Sequence, residues 1–234
     1  THGQVKVVGA GLIGTSIGLA LQKLQVDVAI EDVSPANQML AIDYGAGRAV
    51  SSEDSPNLII VCVPPDVTAA VVARELEAHP EAFVTDVASV KSAILEQLRQ
   101  NGSDLSRYVG SHPMAGRERG GAASGRADLF FGRVWVVVPS ETSSAKARQA
   151  VENLALDLSS APVEASAAEH DRAVAFVSHV PQLISSITAA SLIDASDEDI
   201  ALAGQGVRDT TRIAASNPKL WLQILSANAP EVLA

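Results

Sequence analysis

Three groups of residues in this chain have the types and spacing that chemistry needs. The first is Ser111-His112-Pro113 with Gly116, at the end of a short apolar run and the start of a glycine-rich stretch. A histidine there can take a hydroxyl proton near neutral pH while a hydride leaves the same carbon. A lone histidine is more often just a satisfied polar residue, so the position beside a cofactor pocket is what carries this reading. The second group is Asp86, Ser89 and Lys91, after another apolar run. Ser89 can orient His112 or a cofactor amide, and it can equally cap a helix. The third comprises His170, Asp171, His179, Gln182, Arg208, Asp209, Arg212 and Trp221. His170 and His179 are nine residues apart on one helical stretch, too far for a zinc-binding face, and no metal site is expected. Arg212, in RDTTRIAASNPKLW, either grips a substrate carboxylate with its planar fork or pairs with Asp209.

The elements that would position these groups begin with QVKVVGAGLIGTSIGLAL, Gln4 to Leu21. Val5, Val7 and Val8 read as a buried strand, and Thr15 to Leu24 as an apolar-faced helix. Between them Gly9, Gly11 and Gly14 form G-x-G-x-x-G. The first glycine allows a sharp turn, the second a close approach of a pyrophosphate, and the third tight helix–strand packing. Leu12 and Ile13 complete this cofactor loop, and the pyrophosphate would sit on the helix N-terminus. Asp32 follows a second strand, Val26 to Ile30, eighteen residues after Gly14. A carboxylate there accepts from ribose hydroxyls and repels a 2′-phosphate, so NAD is expected rather than NADP. Asn57 to Val63 is a continuous apolar run of the kind a central parallel strand shows. Its end, Val63-Pro64-Pro65, would also face the cofactor.

Strands and helices continue to alternate through Ala82–Val87, Ser92–Gln100 and Arg133–Val138, which is the signature of a doubly wound parallel sheet. From about Ala167 the pattern becomes helical for seven turns, with Pro181 as an expected kink, followed by shorter helices. The expected architecture is an α/β Rossmann-like domain at 1–140 and an all-helical domain at 141–234. A long, weakly charged apolar helix needs cover on several sides, so a homodimer through the helical domain is inferred. The net charge of −10 over 234 residues argues against nucleic acid and anionic membranes as partners. The one cysteine, Cys62, excludes an internal disulfide and suits a reducing, cytoplasmic setting. No stretch reads as long enough to span a bilayer, and no signal peptide is expected. The terminal PEVLA carries no helix stop, so the natural chain is expected to run past Ala234.

GAGLIG, VPPD, DVASVK, SHPMAG, EHDRAVAFVSHVPQ and RDTTRIAASNPKLW occur in that order. Together they resemble the prephenate and arogenate dehydrogenases of tyrosine biosynthesis, from about Val5 to the chain end. The later motifs are much more specific than the first. The resemblance implies a cleft between a Rossmann domain and a helical dimerisation domain. It implies oxidative decarboxylation, with hydride passing to NAD, carbon dioxide leaving and the ring becoming aromatic. It also implies that His112 binds the ring hydroxyl with Ser89 as partner, that Arg212 grips a carboxylate, and that Trp221 packs nearby. His179 matches a histidine of the same helix and joins the substrate-binding set in a more structural or supporting place.

Two departures concern the side chain that differs between the two substrates. Gln182 stands where some members have a histidine, and Arg117 where a small hydroxyl residue is frequent. A neutral Gln182 can accept from the ammonium of arogenate, and Arg117 can hold a carboxylate, so the choice between the substrates stays open. Rival readings are another two-domain NAD(P) enzyme, of the β-hydroxyacid dehydrogenase or imine reductase type, and a non-catalytic NAD sensor. The long helix carries histidines and no lysine, which counts against the β-hydroxyacid type. The sensor leaves His112 and Arg212 without a reason to share a cleft.

Overall fold

The computed structural model describes residues 1–116 and 120–234. Five parallel strands form a sheet in the order β3-β2-β1-β4-β5. These are β1 (Val5–Val8), β2 (Val28–Glu31), β3 (Arg48–Ala49), β4 (Leu58–Val61) and β5 (Phe83–Asp86). Helices α1 (Leu12–Lys23), α2 (Pro35–Asp43), α3 (Pro65–Ala78) and α4 (Ser92–Gln100) connect them. Strands β1 and β4 are buried along nearly their whole length because helices cover both faces. The order reverses between β1 and β4, which places the glycine turn at the crevice where ligands of doubly wound sheets bind.

A second sheet has the order β6-β7-β8, with β6 (Val109–Pro113) antiparallel to β7 (Val134–Pro139) and β8 (Ala161–Glu164) parallel to β7. A bridge between Val84 and Tyr108 joins it to β5, so the first domain is one extended platform. Helix α5 (Ala145–Asp157) and β8 belong to this platform. A division at 140/141, as expected from the sequence, would part α5 and β8 from the sheet they pack on. Pro139 ends a strand without ending the sheet. His112 also differs from expectation, since it lies within β6, paired with Val136, rather than after the strand.

The helical part begins with α6 (Ala167–Val174), a π turn (Ala175–His179) and α7 (Val180–Ser191). These run on as one 25-residue rod. Pro181 has no N–H to give and its ring crowds the preceding turn, and the wide π turn just before it accommodates both. A π turn thus stands where the sequence suggested a kink. By length and composition this rod is apolar enough to cross a bilayer, contrary to the sequence expectation. Its Phe176, Val177, Ile184 and Ile187 are exposed, while His170, Asp171, His179 and Gln182 are buried against the rest of the chain. Short helices α8 (Asp197–Ala201), α9 (Gln205–Thr211), α10 (Pro218–Ala227) and α11 (Ala229–Val232) follow. Helix α10 folds back on α3, where Gln223 donates to Asp66 at 2.8 Å and Trp221 packs against the same core cluster as Val63.

Candidate active site at the domain junction

The cofactor end is built from β1, α1 and β2. Gly9 has φ +105°, a conformation L side chains avoid, and a Cβ there would strike the Cys62 carbonyl. A Cβ on Gly14 would run into the Gly9 carbonyl oxygen, so the helix could not approach the strand with any other residue. A Cβ at Gly11 would meet nothing within 4 Å, leaving open space above the loop. Leu12, Ile13 and Gly14 form the first turn of α1, whose N–H groups lack helical partners by construction. Asp32 follows β2 directly and accepts from the Ala10 N–H at 2.6 Å and the Ser34 N–H at 2.8 Å. These residues fit a dinucleotide: donors for a pyrophosphate and an acceptor for a ribose diol. Val63, Pro64 and Pro65 lie between β4 and the first turn of α3, with Pro65 at its start.

Three of the catalytic candidates, His112, His170 and Asp171, come together between β6 and α6. His112 is 9% exposed, and its Nδ1 is 2.9 Å from Nε2 of His170. His170 Nδ1 is in turn 2.8 Å from Oδ1 of Asp171. Asp171 also accepts the backbone N–H of Lys91 at 2.9 Å and of Ser92 at 2.8 Å. It thereby caps α4, whose own N-cap residue, Lys91, supplies no side-chain acceptor. Burial alone would raise Asp171, but the hydrogen bonds from His170, Ser92 and Lys91 outweigh it and hold the carboxyl below its usual range.

A carboxylate only accepts, so His170 Nδ1 carries the proton toward Asp171. In the neutral pair His170 Nε2 then accepts, and His112 Nδ1 donates to it. That leaves the second nitrogen of His112, Nε2, as a bare lone pair. Burial, and then His170, Lys91 and His179, push His112 well below the usual imidazole range, keeping it unprotonated at neutral pH. Beneath the turn Asp86 takes the Lys91 ammonium, the Ala88 N–H at 2.9 Å and the Tyr108 hydroxyl at 2.6 Å. Burial depresses Lys91, with the Asp86 carboxylate opposing it.

Ser89 is half-buried in the turn between β5 and α4. His112 Nδ1 is engaged by His170. Ser89 is not the cap of α4, which starts three residues later and is capped by Asp171. His170 was legible as part of a histidine-rich helix, but nothing in the sequence pairs it with a strand residue 58 positions away.

On the helical side, His179 is fully buried and its ring stands edge-on to Trp221, centroids 6.0 Å apart. One turn further on, Gln182 donates to the Ile213 carbonyl at 3.1 Å. Ile213 follows Arg212 in a tight 3-10 turn (Arg212–Ala215), so Gln182 pins the turn that carries the exposed guanidinium. Arg117 lies outside the described residues. Among the described residues no cluster of His, Cys, Asp or Glu has the geometry of a metal site.

Burial drives His179 down to about 4, with Asp171 opposing. Its unfolded value is about 6.5, so between those limits the unfolded chain holds a proton the folded chain refuses. The stabilisation is complete above pH ~6.5 and is lost as pH falls toward 4. At pH 5 this one group should cost about 2 kcal/mol relative to pH 7. His112, also depressed, titrates in the same window, so urea unfolding of wild type and His179→Gln at the two pH values isolates the term, and an equal pH loss in both would contradict a neutral, buried His179.

Residues 17–163 match the profile of the prephenate dehydrogenase nucleotide-binding domain, and residues 166–234 that of the prephenate dehydrogenase dimerization domain. The two matches meet just after β8. A probable prephenate dehydrogenase of Streptomyces niveus is 36% identical over 97% of this chain and 63% of its own length. The prephenate dehydrogenase of Bacillus subtilis is 31% identical over 98% of the chain and 65% of its own. The chain thus spans just under two thirds of these relatives. Among solved structures, A. aeolicus prephenate dehydrogenase with hydroxyphenyl propionate and NAD+ superposes with a TM-score of 0.90 at 25% identity, over 100% of this chain and 85% of that one. Synechocystis arogenate dehydrogenase gives 0.80 at 28%, over 98% and 85%. With both profiles matched across the junction where His112, His170 and Asp171 meet, the chain belongs to the prephenate dehydrogenase family.

Proposed function

We propose that the protein is an NAD-dependent oxidoreductase that oxidatively decarboxylates prephenate, arogenate or both. The observation that carries this reading is the Asp171–His170–His112 chain, which leaves His112 Nε2 as the unprotonated end. NAD, when bound on the loop of Gly9, Gly11, Leu12, Ile13 and Gly14, supplies a hydride acceptor. His112 Nε2 takes the proton of the ring hydroxyl while the same carbon loses its hydride. The proton gained is stabilised through His170 by the Asp171 carboxylate. Loss of carbon dioxide leaves an aromatic ring, so the protein's task is orientation, a base and anion sites rather than strong activation. Arg212 holds a substrate carboxylate, with its turn fixed by Gln182. Asp32 receives the ribose hydroxyls and favours NAD over NADP.

The exposed apolar side chains of the rod, Phe176, Val177, Ile184 and Ile187, support a homodimer through the helical domain, consistent with the dimerization-domain match. Burial pushes the Cys62 thiol up, which keeps it unreactive, and a reducing cytoplasm suits it.

The test is the NADH absorbance produced from prephenate and from arogenate, each with NAD and with NADP. A rise with at least one substrate and NAD is expected, and none with either would reject the assignment. In the same assay Arg212→Ala should raise the Michaelis constant for substrate by about ten- to a hundredfold, with kcat changed much less. An unaltered constant would make the arginine structural.

A further inference from the structure

The mechanism above leaves His179 without a task, although it is fully buried beside the reacting histidine pair. Its Nδ1 is 3.0 Å from the Asn228 amide nitrogen, and the same nitrogen lies 2.9 Å from the backbone carbonyl of Asp171. A carbonyl oxygen only accepts, so the atom facing it must be the NH2 of the amide. Both its hydrogens are thereby committed, one to Asp171 and one to His179. Nδ1 of His179 must then be the accepting nitrogen. The neutral ring carries its proton on Nε2, and that atom is buried with no hydrogen-bond partner among the described residues. A buried donor without a partner costs folding free energy and calls for an explanation.

We infer that Asn228 is a positioning residue that locks His179 with its proton on Nε2, so that His179 donates a hydrogen bond to an oxygen of the bound substrate. This rests on the proposed function for the identity of the acceptor, a carboxylate or carbonyl oxygen on the compound that His112 deprotonates. Neighbouring groups agree with that placement. Gln182 stands one turn along the same rod, and Trp221 covers one side of the imidazole. Asn228 itself is 2% exposed, at the junction of α10 and α11, and ties the catalytic Asp171 segment to His179 through one amide.

Nitrogen-15 NMR of histidine-labelled protein reads the tautomer directly, with five histidines to assign. The expected signature for His179 is a bare Nδ1 and a protonated Nε2. Adding NAD and hydroxyphenyl propionate should shift the Nε2 proton downfield. A protonated Nδ1, or an Nε2 proton that ignores the ligand, overturns the inference. The latter result would leave the N–H facing Trp221 alone. Neither reading needs turnover, so failure of the proposed reaction and failure of this inference are separable.

Kinetics give the second arm. Asn228→Asp presents an acceptor to Nδ1 and should reverse the ring's proton, lowering kcat/KM for substrate by about ten- to a hundredfold with the constant for NAD nearly unmoved. Glutamine at position 179 carries its own donor near the Nε2 position. In a His179→Gln background the same Asn228→Asp change should therefore cost no more than about twofold. A penalty that persists in full there would mean Asn228 acts only through the Asp171 carbonyl, and the inference would be wrong.

Discussion

His112→Asn is expected to lower kcat by about 10²–10⁴-fold while NAD binds with unchanged affinity. The substitution is informative because asparagine reproduces half of the imidazole. Its amide N–H can still donate to His170 Nε2, now 2.9 Å from His112 Nδ1, so the buried pair keeps its hydrogen bond. What disappears is the Nε2 lone pair. The cofactor loop is built by Gly9, Gly11 and Gly14 on other elements, so titrating the variant with NAD by fluorescence should give the wild-type curve. A variant with wild-type kcat would remove the base from the scheme. One that also loses NAD would point to a wider collapse of the β6 segment.

Asp171→Asn should be the more damaging substitution for the protein as a whole. One Asp171 oxygen accepts from His170 and the Lys91 N–H, and the other accepts from the Ser92 N–H. A carboxamide has one oxygen for these three donors, so an NH2 must face an N–H. If the amide oxygen stays on His170 and the Lys91 N–H, the NH2 meets the Ser92 N–H and half of the α4 cap is lost. If it turns to Ser92, the NH2 faces His170 Nδ1, which must then become an acceptor. His170 Nε2 would carry the proton, His112 Nδ1 would accept it, and Nε2 of His112 would hold a proton where the lone pair is needed. Two penalties follow: about 1–3 kcal/mol of stability from the unsatisfied buried groups, and a fall in kcat of about 10²–10⁴-fold, the scale a reversed tautomer costs a histidine base. Urea unfolding and turnover on the same preparation separate them. Stability lost with turnover intact would confine Asp171 to capping α4.

The nucleotide half was legible because its signals are local. Val5, Val7 and Val8, the three glycines and Asp32 are constrained by neighbours within a few tens of residues, and period and spacing report such constraints. Strand β8 escaped because four residues, Ala161 to Glu164, show no alternation and are mostly exposed, so only pairing with β7 defines them. At the site, the residue types of His112, His170, Asp171, His179 and Arg212 drew attention in the sequence. Their pairing could not be read. Ser89 was matched to His112 by motif, while the contact of His112 Nδ1 with His170, on a helix far along the chain, exists only in the assembled fold. Asn228 carried no signal at all: an asparagine near a helix end reads as a cap, and its two acceptors exist only once α6, the π turn and α11 are assembled.

The π turn at Ala175–His179 has a further consequence for how those histidines are placed. Along an uninterrupted α-helix each residue advances by about 100°, so side chains nine positions apart point in opposite directions. A π turn takes in one residue more than an α turn does, which subtracts about one step from that count. His170 and His179 are thus brought from opposite sides to within about a quarter of a revolution of each other, close enough for Asn228 to reach both neighbourhoods. The proline two positions on makes the wide turn the comfortable one. A ring that cannot donate a hydrogen bond acts as the vernier that brings two imidazoles toward one side of the rod.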